Sequence, residues 1–200
     1  MITFICVLAI ASAAARLFLF AALHVVPSAY NPLTHAVSDY AVGPTRHLST
    51  AMTWTTVLTW LSLAAAVSVV LPSWEYHGTA TALLLTLAII FAVLPFVPTD
   101  LAGAKRTPRG ILHYVLAIAW FAIAYSLTGD TSRYMATSWG GISGSAAVAL
   151  HWIALISLIA LIAALVVPTL RRYFGLAERV FIAAISVFFL IAAIALLAHA

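Results

Sequence analysis

Apolar residues along this chain run in six long blocks instead of alternating or recurring at every third or fourth position, and polar residues punctuate the gaps between blocks. A bilayer hydrocarbon core of about 30 Å takes about 20 residues of α-helix, so each block is long enough to cross one. The predicted spans are 2–23, 48–71, 79–97, 109–127, 144–167 and 177–198. Between them stand residues that end or start helices: Pro27, Asn31 with Pro32, Gly43 with Pro44, Pro72, Pro98, Thr107 with Pro108, Gly140 with Gly141, and Pro168. The expected fold is all-α, an integral membrane bundle of six transmembrane helices forming a single domain over residues 1–200.

Composition sharpens this reading. With 65% hydrophobic and 7% charged residues, the chain lacks the polar surface that a water-soluble fold needs. Its nine Lys and Arg give a net charge of +4, too few and too dispersed for a nucleic-acid footprint. Their placement bears on topology, because cytoplasmic loops retain basic residues. The connections after predicted helices one, three and five carry Arg46, then Lys105, Arg106 and Arg109, then Arg171, Arg172 and Arg179, whereas the other side has only Arg133. Both termini are therefore expected outside a cell membrane crossed six times. The single cysteine, Cys6, excludes a disulfide framework or a cysteine metal site. The first block has no basic n-region, and Arg16 follows its small residues Ala13 to Ala15. It is expected to be retained as a helix and not cleaved as a signal peptide.

The first cytoplasmic connection is the richest in chemistry. Asn31 can cap a helix, Pro32 suits its first turn, and Gly43 with Pro44 supplies a stop. Residues 32–42 are thus expected to form a short interfacial helix after helix one. Its length of roughly 16 Å is too short to span. Helical spacing would put His35 and Asp39 on one face beside Thr34 and Ser38. Further along, Asp100, Lys105, Arg106 and Arg109 precede His113, which shares a helical face with Arg109.

Arg16 lies inside the first span, where a charge ordinarily faces the bundle and finds a partner, so Asp39 or Asp100 is the expected counter-ion. Glu178 and Arg179 open the sixth span and read either as members of the same cluster or as an exposed capping pair. Lys105 and Arg106 read as basic anchors. The candidate ligand-binding set is Arg16, His35, Ser38, Asp39, Asp100, Arg109, His113 and Arg179. Within it, Ser38, Asp39, Asp100 and His113 have catalytic chemistry, and Asp39, Asp100 and His113 could hold zinc. Haem is disfavoured, because a bis-histidine site needs two histidines at matching depth. The one outward-side pair, His151 with His199, uses the penultimate residue. His47 and His77 lie in connections.

The segments Pro32-Leu-Thr-His-Ala-Val-Ser-Asp-Tyr-Ala-Val-Gly43, Val97-Pro-Thr-Asp100 followed by Gly110-Ile-Leu-His113, and Gly175-Leu-Ala-Glu-Arg179 resemble the prokaryotic membrane family known as domain of unknown function 998. The resemblance covers nearly the whole chain and implies six helices but no biochemical activity. A more distant similarity is to the eukaryotic DRAM and Sfk1-like proteins, which are associated with lipid organisation, autophagy and phosphoinositide signalling. The CREST membrane hydrolases are also similar in their Ser, Asp and His usage. The paired histidines of their last helix are missing here, where the sixth span offers only His199.

Three functions fit these residues. The first is binding or translocation of a lipid, with Arg16, Arg109 and Arg179 recognising an anionic headgroup. The second is a metal-assisted membrane hydrolase built on Ser38, Asp39, Asp100 and His113. The third is an accessory subunit whose Ala, Gly, Ser and Thr residues allow close helix docking, either to a larger membrane complex or to further copies of this chain.

Overall fold

The computed structural model describes residues 1–101 and 104–200, and among these every regular element is helical. Six long helices are α1 (Ile2–Val25), α2 (Arg46–Val70), α3 (His77–Val93), α4 (Pro108–Tyr134), α5 (Gly141–Val166) and α6 (Phe174–Ala198). Each is long and apolar enough to cross a membrane, α3 together with the 3-10 turn Leu94–Phe96 that continues it. In a bilayer every backbone polar group must be satisfied within the protein, and a helix does this without neighbours.

Helix α6 is the centre of the bundle. Its Phe181, Ile185, Phe188 and Ala193 are completely buried, and α1 and α5 pack along it, with α2 against α1 and α3 beyond α2. Small residues such as Ala9, Ala13, Ala64 and Ala66 line the buried faces of α1 and α2, letting the two backbones approach closely. Helix α5 turns Ile142, Trp152, Ile156, Ile159 and Ile162 outward. In water that stripe would be an aggregation surface, but against lipid chains it is a neutral boundary. Helix α4 meets α3 and α6 over shorter stretches, and a large cavity opens beside it.

Two sequence expectations need correction. Helix four does not end near residue 127 but continues to Tyr134 and then through a π-helical turn, Met135–Trp139. Gly129 and Asp130 lowered the helical signal there. Asp130 nevertheless pairs with Arg133 one turn on, at 3.5 Å, and the helix stops only where Gly140 takes the left-handed φ of +61°. The second correction concerns residues 32–42, which are not one helix. Asn31 does cap a turn, its Oδ1 accepting from the Leu33 amide at 2.9 Å. The chain then breaks at Ala36, which is extended with ψ of 153°, before a 3-10 helix at Val37–Ala41.

Candidate functional site

The connection from α1 to α2 is a strap held by the first two turns of α6. Gly175 lets it approach: a Cβ there would lie 2.5 Å from the His35 carbonyl oxygen and 2.6 Å from that of Pro32. The Leu176 amide donates to the Leu33 carbonyl at 3.3 Å, and the Val37 amide donates to Glu178 Oε2 at 2.7 Å. Arg179 donates from Nη1 to the His35 carbonyl at 2.7 Å and from Nε to His24 Nε2 at 2.7 Å. His24 Nδ1 lies 2.7 Å from the Phe20 carbonyl, so its proton sits on Nδ1 and leaves Nε2 free to accept. Under the strap Tyr40 is buried, with the Arg179 guanidinium 5.5 Å from its ring centre. The two segments Pro32 to Gly43 and Gly175 to Arg179 are therefore the halves of one interlock.

A second interlock joins α3 to α4. The Asp100 carboxylate accepts from the Thr107 amide at 2.7 Å and from its hydroxyl at 2.8 Å. The same hydroxyl accepts from the Gly110 amide at 3.0 Å and so caps α4. Gly110 makes room for this contact, because a Cβ would fall on the Asp100 carboxyl group and displace it from Thr107. One turn later His113 places Nδ1 2.8 Å from the Val97 carbonyl. The spacing from Asp100 through Gly110 to His113 thus has a structural explanation in the α3–α4 turn.

Between these interlocks lies a cavity of about 1380 Å³. Strap residues His35, Ser38 and Asp39 form one wall, Asp100 and His113 another, and Glu178 with Ile182 a third. Its deeper walls include Met52, Phe91, Trp120 and Phe121. Exposed Trp54, Ile111, Ile118 and Leu165 also line it, so it opens sideways toward lipid. Arg46, Arg106 and Arg171 line it as well. Asp39 is buried and accepts from the Ala36 amide at 3.0 Å. Burial pushes its carboxyl above the usual carboxylate range, opposed by that amide and by the charges of His35, Arg179 and His113.

Arg16 stands at the inner end. It is 4% exposed and lies nine residues, roughly 14 Å, before the end of α1. Its Nε donates to Thr56 Oγ1 at 2.9 Å and its Nη1 to Ser186 Oγ. Neither expected counter-ion reaches it: among the described residues the one ion pair is Asp130 with Arg133. Asp100 is engaged by Thr107 and Asp39 by the strap backbone, so among the described residues Arg16 is a buried cation without a carboxylate, and its Nη2 has no hydrogen-bond partner there.

The structure thus brings Arg16, His35, Ser38, Asp39, Asp100 and His113 around one cavity and leaves two candidates outside its lining. Arg109 is exposed, although His113 on the same helix is buried. Arg179 is tied to His24 through Nε and to the strap through Nη1, while among the described residues its buried Nη2 has no hydrogen-bond partner and it too has no carboxylate partner. Glu178 and Arg179 are not an exposed capping pair, since both are buried. Arg106, read as an anchor, does line the cavity. Among the described residues no three His, Cys, Asp or Glu side chains come together to hold a metal ion, so Asp39, Asp100 and His113 share a cavity without forming a ligand set. Sequence reading missed Thr56 and Ser186 as partners of Arg16, because single hydroxyls in apolar helices are too common to stand out. It also missed Gly110 and Gly175 as close-approach positions, although one stands three residues before His113 and the other four before Arg179.

A family model described as "Protein of unknown function (DUF998)" matches residues 9–195. No curated protein and no solved structure matches the chain.

Proposed function

The chain belongs to the DUF998 family, a multi-pass membrane protein family of unknown function, and from that premise we propose that it binds a membrane lipid through an anionic headgroup taken into the cavity beside α4. The observation that carries this reading is Arg16, a buried guanidinium with no carboxylate partner on the wall of a cavity large enough for a headgroup and part of its chains. A charge inside a bilayer is costly unless it is paired or hydrated, and an anionic ligand would pair it. Arg46, Arg106 and Arg171 add positive charge to the lining, while the apolar wall and lateral opening suit acyl chains.

Binding to the folded state raises its stability by mass action. Phosphatidylglycerol added to the purified protein in neutral detergent is expected to raise the unfolding temperature, and phosphatidylcholine to raise it far less. The combined variant R46Q/R106Q/R171Q should reduce the shift. Equal shifts with both lipids would sink this reading.

The proposed orientation has both termini outside the cell membrane and the strap on the cytoplasmic side, supported by the seven-to-one distribution of loop Lys and Arg. Thr107 and Thr169 are exposed on that side. Cysteines placed at either position are expected to react with an impermeant maleimide only after the cells are opened. Labelling from outside intact cells would invert the topology.

A further inference from the structure

The position of Arg16 along the bilayer normal says more than that an anion binds. In α2, Thr56 lies ten residues after the helix start, and in α6, Ser186 lies twelve residues after the start. These are depths of roughly 15 and 18 Å, close to the 14 Å of Arg16 from the end of α1, and about half of a hydrocarbon core. All three meet at one guanidinium. A lipid resting in the inner leaflet keeps its headgroup at the surface and would present only chain atoms at that depth. An anionic group that pairs with Arg16 has left the interface.

The route to that depth is continuous. Along α6 the cavity-lining residues Glu178 and Ile182 are followed by Ser186 at four-residue steps, one stripe running from the strap to Arg16. Phe91, Trp120 and Phe121 line this same cavity and pack with Phe181, ring centres 4.4 to 5.8 Å apart, giving the route an aromatic wall. In the other half of the bundle a pocket lined by Leu63, Leu71, Trp74, Leu127, Tyr134 and Trp139 is only about 20 Å³, room for a water-sized guest. One half of the bundle holds the large cavity and the other this small pocket, with a cation that has no carboxylate partner among the described residues at the cavity's inner end.

Resting on the reading that the cavity takes an anionic lipid, we propose that it is the inner half of a headgroup translocation path, with Arg16 as the mid-membrane station at which the anionic headgroup is held. Passing an anion through hydrocarbon is slow because the charge loses its hydration, and a guanidinium waiting at the midplane replaces part of that hydration. The carboxylates Asp39 and Glu178 stand at the strap end of the route, each accepting from a strap amide.

The test reconstitutes the full chain in vesicles of phosphatidylcholine containing a trace of phosphatidylglycerol labelled on its acyl chain with a dithionite-sensitive fluorophore. Dithionite bleaches only outer-leaflet probe, so translocation appears as continued bleaching after the first phase. The wild type is expected to accelerate that phase, and R16M to slow it about a hundredfold, the scale of leaving a charge unpaired at the bilayer centre. R16K, which keeps the cation, should recover part of the rate. Equal rates for R16M and wild type would overturn the role of Arg16, as would equal acceleration of labelled phosphatidylcholine. If wild type does not accelerate bleaching but phosphatidylglycerol still raises its unfolding temperature, translocation is wrong and binding stands. Loss of both signals overturns both.

Discussion

Replacing Gly175 in α6 by valine is expected to lower the unfolding temperature of the detergent-solubilised protein by unseating the α1–α2 strap. The added Cβ would meet two backbone carbonyl oxygens, those of His35 and Pro32, and the Arg179 Nη1 at 2.8 Å. Backbone cannot rotate away as a flexible side chain can. The strap must lift, and with it go the bonds from Leu176 to Leu33, Val37 to Glu178 and Arg179 to His35. Overpacking alone costs about 1–3 kcal/mol, and each buried polar group left without a partner adds about 1–3 kcal/mol, so a loss of ~3 kcal/mol or more is expected. Gly78→Ala is the control, because a Cβ at Gly78 in the first turn of α3 meets nothing within 4 Å. That change should be neutral or slightly stabilising. The pair is read by circular dichroism melting, with limited proteolysis reporting whether the strap has become accessible. A G175V protein that melts with the wild type would show that the strap does not depend on this contact.

Arg16→Met is expected to do the reverse: to hold or raise stability in the absence of lipid while removing the response to phosphatidylglycerol. Both hydroxyls that Arg16 touches already donate to their own helix, Thr56 to the Met52 carbonyl at 2.7 Å and Ser186 to the Ile182 carbonyl. Removing the guanidinium therefore orphans no donor. The lost hydrogen bonds are worth about 0.6 kcal/mol each between membrane helices, whereas an unpaired cation near the bilayer centre costs about 2.5–3.5 kcal/mol. The balance favours the variant by ~1 kcal/mol or more, less whatever water in the open cavity already recovers. Methionine fills a similar volume and adapts to irregular surroundings. A site kept for binding carries such a cost, and a packing pin does not. If R16M instead loses more than about 2 kcal/mol, Arg16 is a structural pin between α1, α2 and α6, and the headgroup reading loses its main support.

How much of this was legible beforehand varies by residue. The strap segment was recognisable from Asn31, Pro32 and Gly43, yet its internal form was not. Whether His35 and Asp39 share an α-helical face turns on Ala36, whose extended backbone serves docking onto α6 and has no local signal. Asp100 and His113 line one cavity. Their hydrogen bonds to Thr107 and Val97 came from the way the α3–α4 turn folds back on itself. Arg109 and His113 share a helical face by spacing, but burial of one and exposure of the other depends on where neighbouring helices end.

The sequence by itself determined the six spans and the class of the protein, because hydrocarbon thickness and backbone hydrogen bonding leave an apolar block of that length one solution. It also determined the asymmetry of basic residues between the two sides, since that is a matter of order along the chain. Only the tertiary structure decided which charges are paired. Arg16, Asp39, Asp100, Glu178 and Arg179 are far apart in sequence, and their partners are set by side-chain reach across packed helices, over distances at which a shift of one helical turn exchanges one partner for another. The same dependence on packing places two carboxylates on backbone amides, ties Arg179 to the strap, and leaves both Arg16 and Arg179 buried without a carboxylate partner among the described residues.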